Sequence, residues 1–92
     1  MTMRKSAPAR ERFRLLGQLV FDLYDLGRSS VLVQRAGGQP VLYVRTPSGR
    51  RMIAVLAVPG DQGCWGYLWD GCHWTAADGT PTAERRIAGV VR

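Results

Sequence analysis

Cysteine, histidine and lysine are scarce in this 92-residue chain, which holds two Cys, one His and a single Lys at position 5. A disulfide framework in a short secreted chain shows itself by several cysteines, so free thiols in a reducing cytoplasm are the expectation. A structural zinc site takes four ligands, commonly as two close pairs. Cys64, Cys72 and His73 supply only three, so no metal is expected; Cys64 reads as a small buried apolar residue and Cys72 as a turn thiol. No apolar run approaches the roughly 18 residues that span a bilayer, which argues against a membrane segment. The basic first fourteen residues are followed by an amphipathic pattern and not by a uniform signal-peptide core, so no export signal is read there.

Groups that carry out chemistry are equally thin. Acidic residues number seven against thirteen Lys and Arg, a formal charge of +6 with a pI near 10.4, which disfavours basic partners. Asp22 and Asp25 fall on the solvated side of a helical pattern, where Gln18 and Asp22 are spaced to pair at i, i+4. His73 next to Cys72 on a strand would point to the opposite face, which defeats a nucleophile and base pair. The glycines at 37–38 and 60–63 lie between strands instead of between a strand and a helix, so no phosphate cradle is expected. With no nucleophile, base and orienter together, the chain reads as a non-enzyme with no catalytic residue and no cofactor.

What is present is enough to fold. Hydrophobic residues make up 46% and charged ones 22%, the balance of one small globular domain. Residues 1–7 show no apolar period and read as a flexible basic arm ahead of a single domain at 8–92. At 100° per residue, Phe13, Leu16, Leu19, Val20, Leu23, Tyr24 and Leu26 share one sector of a helix from Ala9 to Leu26. Pro8 suits its first turn and Gly27 a left-handed stop, and Arg12 sits near the apolar edge with its stem along the core and its head toward water. After Gly27 the period shortens to two. Strands are expected at 30–35, 41–46, 51–58 and 64–70, separated by turns at 36–40, 47–49 and 59–63, with Trp74-Thr75 as a brief extension. Thr80 and Pro81 then open a short helix with Ile87, Val90 and Val91 on its apolar side. The fold class is α+β: a four-stranded antiparallel meander with helices on one face.

Two features point outward from that frame. The strand at 52–58 is apolar at both parities, with Met52, Leu56 and Val58 on one face and Ile53, Val55 and Ala57 on the other. Both faces therefore read as covered, and two helices are too few, so a second copy or a partner is expected on one of them. The other feature is a run of aromatics. Trp65, Tyr67 and Trp69 alternate along one strand and share a face, with Trp74 shortly after. They either roof the core under the first helix, form a protein interface, or stack the bases of a single strand while Arg35, Arg45, Arg50 and Arg51 hold phosphates. Positive charge is concentrated at residues 1–14 (net +4) and 28–51 (net +5), which suits a phosphate backbone or simple solubility. Arginine-rich composition also follows from a high-GC genome.

Several short runs carry a resemblance: the helix ending in Asp25-Leu26-Gly27, Pro40-Val41-Leu42-Tyr43-Val44-Arg45, Cys64-Trp65-Gly66-Tyr67-Leu68-Trp69-Asp70-Gly71, and a closing Ala83-Glu84-Arg85-Arg86-Ile87-Ala88. In these the chain resembles small uncharacterised proteins of actinobacteria. In element order it also resembles the chaperone folds of bacterial secretion systems. The latter resemblance implies a dimer that holds a partner chain, although such chaperones are typically acidic and this chain is basic. The expectation is a cytoplasmic, non-enzymatic binding or adaptor module that acts through a sheet face as a homodimer. Trp65, Tyr67, Trp69 and Trp74 are its apolar anchors, and Arg35, Arg45, Arg50 and Arg51 steer an acidic protein partner. The alternative is a nucleic-acid binder using the same residues.

Overall fold

The computed structural model describes residues 2–34, 36–46, 50–60, 63–71, 73–78 and 82–90, with side chains from residue 9 onward except Glu84 and Val90. The elements run α1 (Thr2–Asp25), β1 (Ser30–Val33), β2 (Val41–Arg45), β3 (Met52–Pro59), β4 (Trp65–Trp69), β5 (His73–Ala76) and α2 (Thr82–Val90). The class is α+β, and the sheet is an antiparallel meander in strict chain order with five strands instead of four. The fifth is the expected Trp74-Thr75 extension grown to a full strand. Asp70 and Gly71 both take left-handed backbone (φ 54° and 75°) and reverse the chain tightly. His73, Trp74, Thr75 and Ala76 then stand opposite Trp69, Leu68, Tyr67 and Gly66.

Helix α1 starts at Thr2 and not at Ala9. Met3, Arg4, Lys5 and Ala7 are good helix formers and extend it upstream through Pro8, which therefore occupies a helix interior at the loss of one backbone hydrogen bond. Its other end is as the sequence requires. Gly27 has φ 77°, its N–H donates to the Tyr24 carbonyl (2.9 Å), and the Arg28 N–H donates to the Leu23 carbonyl (2.8 Å), which together close a Schellman motif.

Both helices lie on one face of the sheet. From α1, Leu15, Leu16, Leu19 and Leu23 are buried against Leu42, Val44, Ile53, Val55 and Ala57 of the central strands. Each buried leucine contributes about 1.5–3 kcal/mol of transfer free energy. Phe13, Tyr24 and Leu26, expected in this buried sector, are exposed instead, because the leucine line faces the sheet and the aromatics flank it. Among its described side chains, helix α2 buries Ala83, Ile87 and Ala88. Arg28 joins the two helices, its Nε–H donating to the Ala88 carbonyl at 3.3 Å. The turn at 47–49, Thr80, Pro81 and Val91 lie outside the described residues.

Candidate interaction surface

The strand at 52–58 reads as apolar on both faces with too few helices to cover them, and in the structure both helices lie on the inner face and leave the outer one without a helix. Register carries an apolar row across the sheet on that side. Val33 faces Val41; Val41 lies next to Leu56 by the pairing of Leu42 with Val55; Leu56 faces Leu68; and Leu68 faces Trp74. Val31, Tyr43 and Ala54 form a second row, and Met52 pairs with Arg45 at the end of the sheet. Trp74, 43% exposed, is the largest side chain there.

Trp74 lies flat because of what its neighbours lack. A Cβ on Gly66, its diagonal neighbour on β4, would overlap ring atoms Cε2 and Cζ2, and one on Gly60 would stand 2.7 Å from Cζ2. Glycine inside a strand weakens it, and here it makes room for an indole. Beside the ring, Val58, Pro59, Gly60, Cys64, Trp74 and Ala76 line an open groove of about 570 Å³. The Cys64 thiol is exposed in it and not buried as expected, because β4 begins one residue later and leaves Cys64 in the turn.

The other three aromatics lie on the helix face. Tyr67 and Trp69 are buried in the core, and Trp65 packs against its edge. The polar atoms of Tyr67 and Trp69 are satisfied internally, which is why Tyr and Trp are tolerated there. The Tyr67 hydroxyl donates to the Leu15 carbonyl at 3.1 Å, and Trp69 Nε1–H donates to Thr75 Oγ1 at 3.3 Å. The His73 ring stacks on Trp69 with centroids 4.5 Å apart. The Arg12 guanidinium lies over Trp65, 5.8 Å from the ring centre, with Arg12 half-buried at the edge of the core. Tyr67 and Trp69 therefore present no free ring face, and Trp74 is separated from all three by the thickness of the sheet.

Of the arginines, Arg45, Arg50 and Arg51 are exposed at the same end of the sheet, where β2 passes to β3. Arg51 Nη2 pairs with Asp70 Oδ1 at 3.2 Å, so part of its charge is already engaged. Arg35 and Cys72 lie outside the described residues. On α1, Gln18 Nε2–H donates to Asp22 Oδ1 at 3.2 Å, the i, i+4 pairing that the spacing implies. Arg14 Nε–H donates to Glu11 Oε2 at 3.1 Å. That hydrogen bond holds the Glu11 carboxyl below its ordinary range and raises Arg14.

Sequence reasoning missed Tyr43 and Leu68 on this surface, and it set Leu56 on one apolar face of β3 without deciding which face the helices take. It also missed Phe21, which lies about 60° beyond the sector drawn for the helix. Among the described residues no group of three or more His, Cys, Asp or Glu could hold a metal ion, and no helix is long and apolar enough to cross a membrane. No family model matches the chain, nor does any curated protein or solved structure.

Proposed function

We propose that this protein is a small cytoplasmic binding module without catalytic activity, which works as a homodimer and receives a protein partner on the outer face of its sheet. The observation that carries this reading is the apolar row from Val33 through Leu56 and Leu68 to Trp74, which none of the described elements covers. Contiguous apolar surface of this kind marks an interaction site on a folded domain. Trp74 and the groove beside Cys64 offer the aromatic anchor and pocket that dominate binding energy at such interfaces. Arg45 and Arg50, at one end of the face, favour a partner with acidic residues flanking its apolar segment. Of the four aromatic anchors read from the sequence, this mechanism keeps Trp74 and adds Leu56, Leu68 and Tyr43.

The test is photo-crosslinking from position 56 in cells, followed by purification of the crosslinked protein and titration against wild type, Leu56→Arg and Trp74→Ala. Saturable binding that Leu56→Arg abolishes and added salt weakens only modestly supports the reading. A crosslinked nucleic acid instead, with binding that falls steeply with salt and is lost in Arg45→Ala/Arg51→Ala, would establish the nucleic-acid alternative. Binding indifferent to Leu56 and Trp74 would remove the sheet face from the mechanism.

A further inference from the structure

The apolar surface of α1 does not end where the sheet does. Viewed down the axis at 100° per residue, the buried Leu15, Leu19, Leu23 and Leu16 occupy about 100° of arc. Beyond Val20 the arc continues through Phe13, Tyr24, Gly17 and Phe21, and on that side the aromatics are bare. Phe13 is 47% exposed, Phe21 70% and Tyr24 77%. At their centre Gly17 has no atom within 4 Å of the place a Cβ would take, which leaves a notch between two rings.

We propose that this stripe is the seam of the homodimer: two copies of α1 pack antiparallel, with the two-fold axis at Gly17. The inference rests on the homodimer reading above and assigns its interface. The first support is the symmetry of the pattern. Phe13 and Phe21 stand four residues either side of Gly17, so an antiparallel pair centred there sets Phe13 of one copy against Phe21 of the other and lets the two notches meet. Glycine at a helix crossing allows the close approach that ridges and grooves need. The second support is charge. Arg10 and Arg14 lie at one end of the stripe and Asp25 flanks the other. Arg14 is already held by Glu11, so the match rests on Arg10, which the same axis brings level with Tyr24 and Asp25 of the second copy. A parallel pair would instead oppose Arg10 to Arg10 and Asp25 to Asp25. Because α1 lies on the inner side of the sheet, this seam leaves both outer faces free. The dimer is then a two-headed adaptor.

Solution mass by light scattering across a concentration series, on the full chain, decides it. Wild type is expected to approach twice 10.2 kDa. Gly17→Leu is the informative variant. It fills the notch without touching the fold and raises helix propensity, so it should keep or raise the melting temperature while weakening dimerisation about tenfold or more. Arg10→Asp and Asp25→Arg should each weaken the dimer, and the two together should restore it. Leu56→Arg should leave the mass unchanged. A dimer that survives both Gly17→Leu and Phe21→Arg, or one that Leu56→Arg dissociates, overturns the seam while the homodimer reading stands. A wild-type chain that stays monomeric throughout overturns the homodimer reading itself. Monomer that binds vesicles of anionic lipid through Phe21 would give the stripe to a membrane surface and also overturn the proposal.

Discussion

The two faces of the sheet are built from the same strands with nearly the same apolar content, and they end in opposite situations. On β3, Ile53, Val55 and Ala57 are sealed beneath the helices, while Met52, Ala54, Leu56 and Val58 look outward with none of the described elements above them. An apolar side chain records that its site needs cover, and it does not record whose. The inner face obtains cover from α1 and α2. The outer face has no such cover from the described elements, and the difference should be measurable residue by residue.

The strongest way to break the contrast is a matched pair of truncations. Leu42→Ala, on the inner face and fully buried, should cost about 3 kcal/mol in urea unfolding, whereas Leu56→Ala on the outer face should cost about 1 kcal/mol or less. Equal losses would mean that the outer face is covered in solution without the addition of a partner. Next in size is Gly66→Ala, which drives a methyl into the Trp74 ring. It should cost about 1–3 kcal/mol and move tryptophan emission to longer wavelength as the indole lifts from the sheet. Unchanged emission would show that Trp74 does not lie on Gly66. Tyr67→Phe sharpens the inner side of the comparison, since it removes only the hydroxyl that donates to Leu15. A loss of about 1 kcal/mol is expected, with the Leu15 carbonyl left short of one donor.

The smallest effect belongs to the solvated side of α1. Arg14 holds the folded-state Glu11 carboxyl below its ordinary value, so this group adds stability above the unfolded carboxylate pKa and loses it as pH falls through the lower folded value. Glu11→Gln should therefore be slightly less stable than wild type at neutral pH, with the gap closing in acid. A gap that widens below pH 4 would contradict that sign. Both partners face solvent, so the difference stays near the limit of detection at neutral pH.

The inner face was largely legible in the sequence, and the outer face only in outline. Leu16, Leu19 and Leu23 recur at helical spacing, and Gly27 could only be a left-handed stop, so α1 and its C-terminus follow from local rules. The apolar pattern of β3 at both parities showed that a second face existed. What local pattern could not supply was which face the helices choose, and that choice decides the aromatics. Trp65, Tyr67 and Trp69 share a parity with Val55 through the pairing of Val55 with Trp69, so they went under α1, while Trp74, paired with Leu68, went outside. The start of α1 was misplaced because Pro8 reads as a boundary in sequence even where the flanking residues sustain a helix. The fifth strand was undercalled because four residues after a tight turn carry little periodicity of their own.

The strict chain order of the sheet also sets a timetable. Every strand pairs with its immediate neighbour in sequence, so the sheet can zip hairpin by hairpin with little loop-closure entropy at any step. Helix α1 is the exception. It is made first, yet one of its ties, to Tyr67, spans 52 residues, and it packs against β3 as well as β1. At about 5–20 residues per second of synthesis, its leucine line waits roughly 2–7 s for β3 to be made. During that interval the nascent chain presents an amphipathic helix with a bare apolar arc and no sheet beneath it.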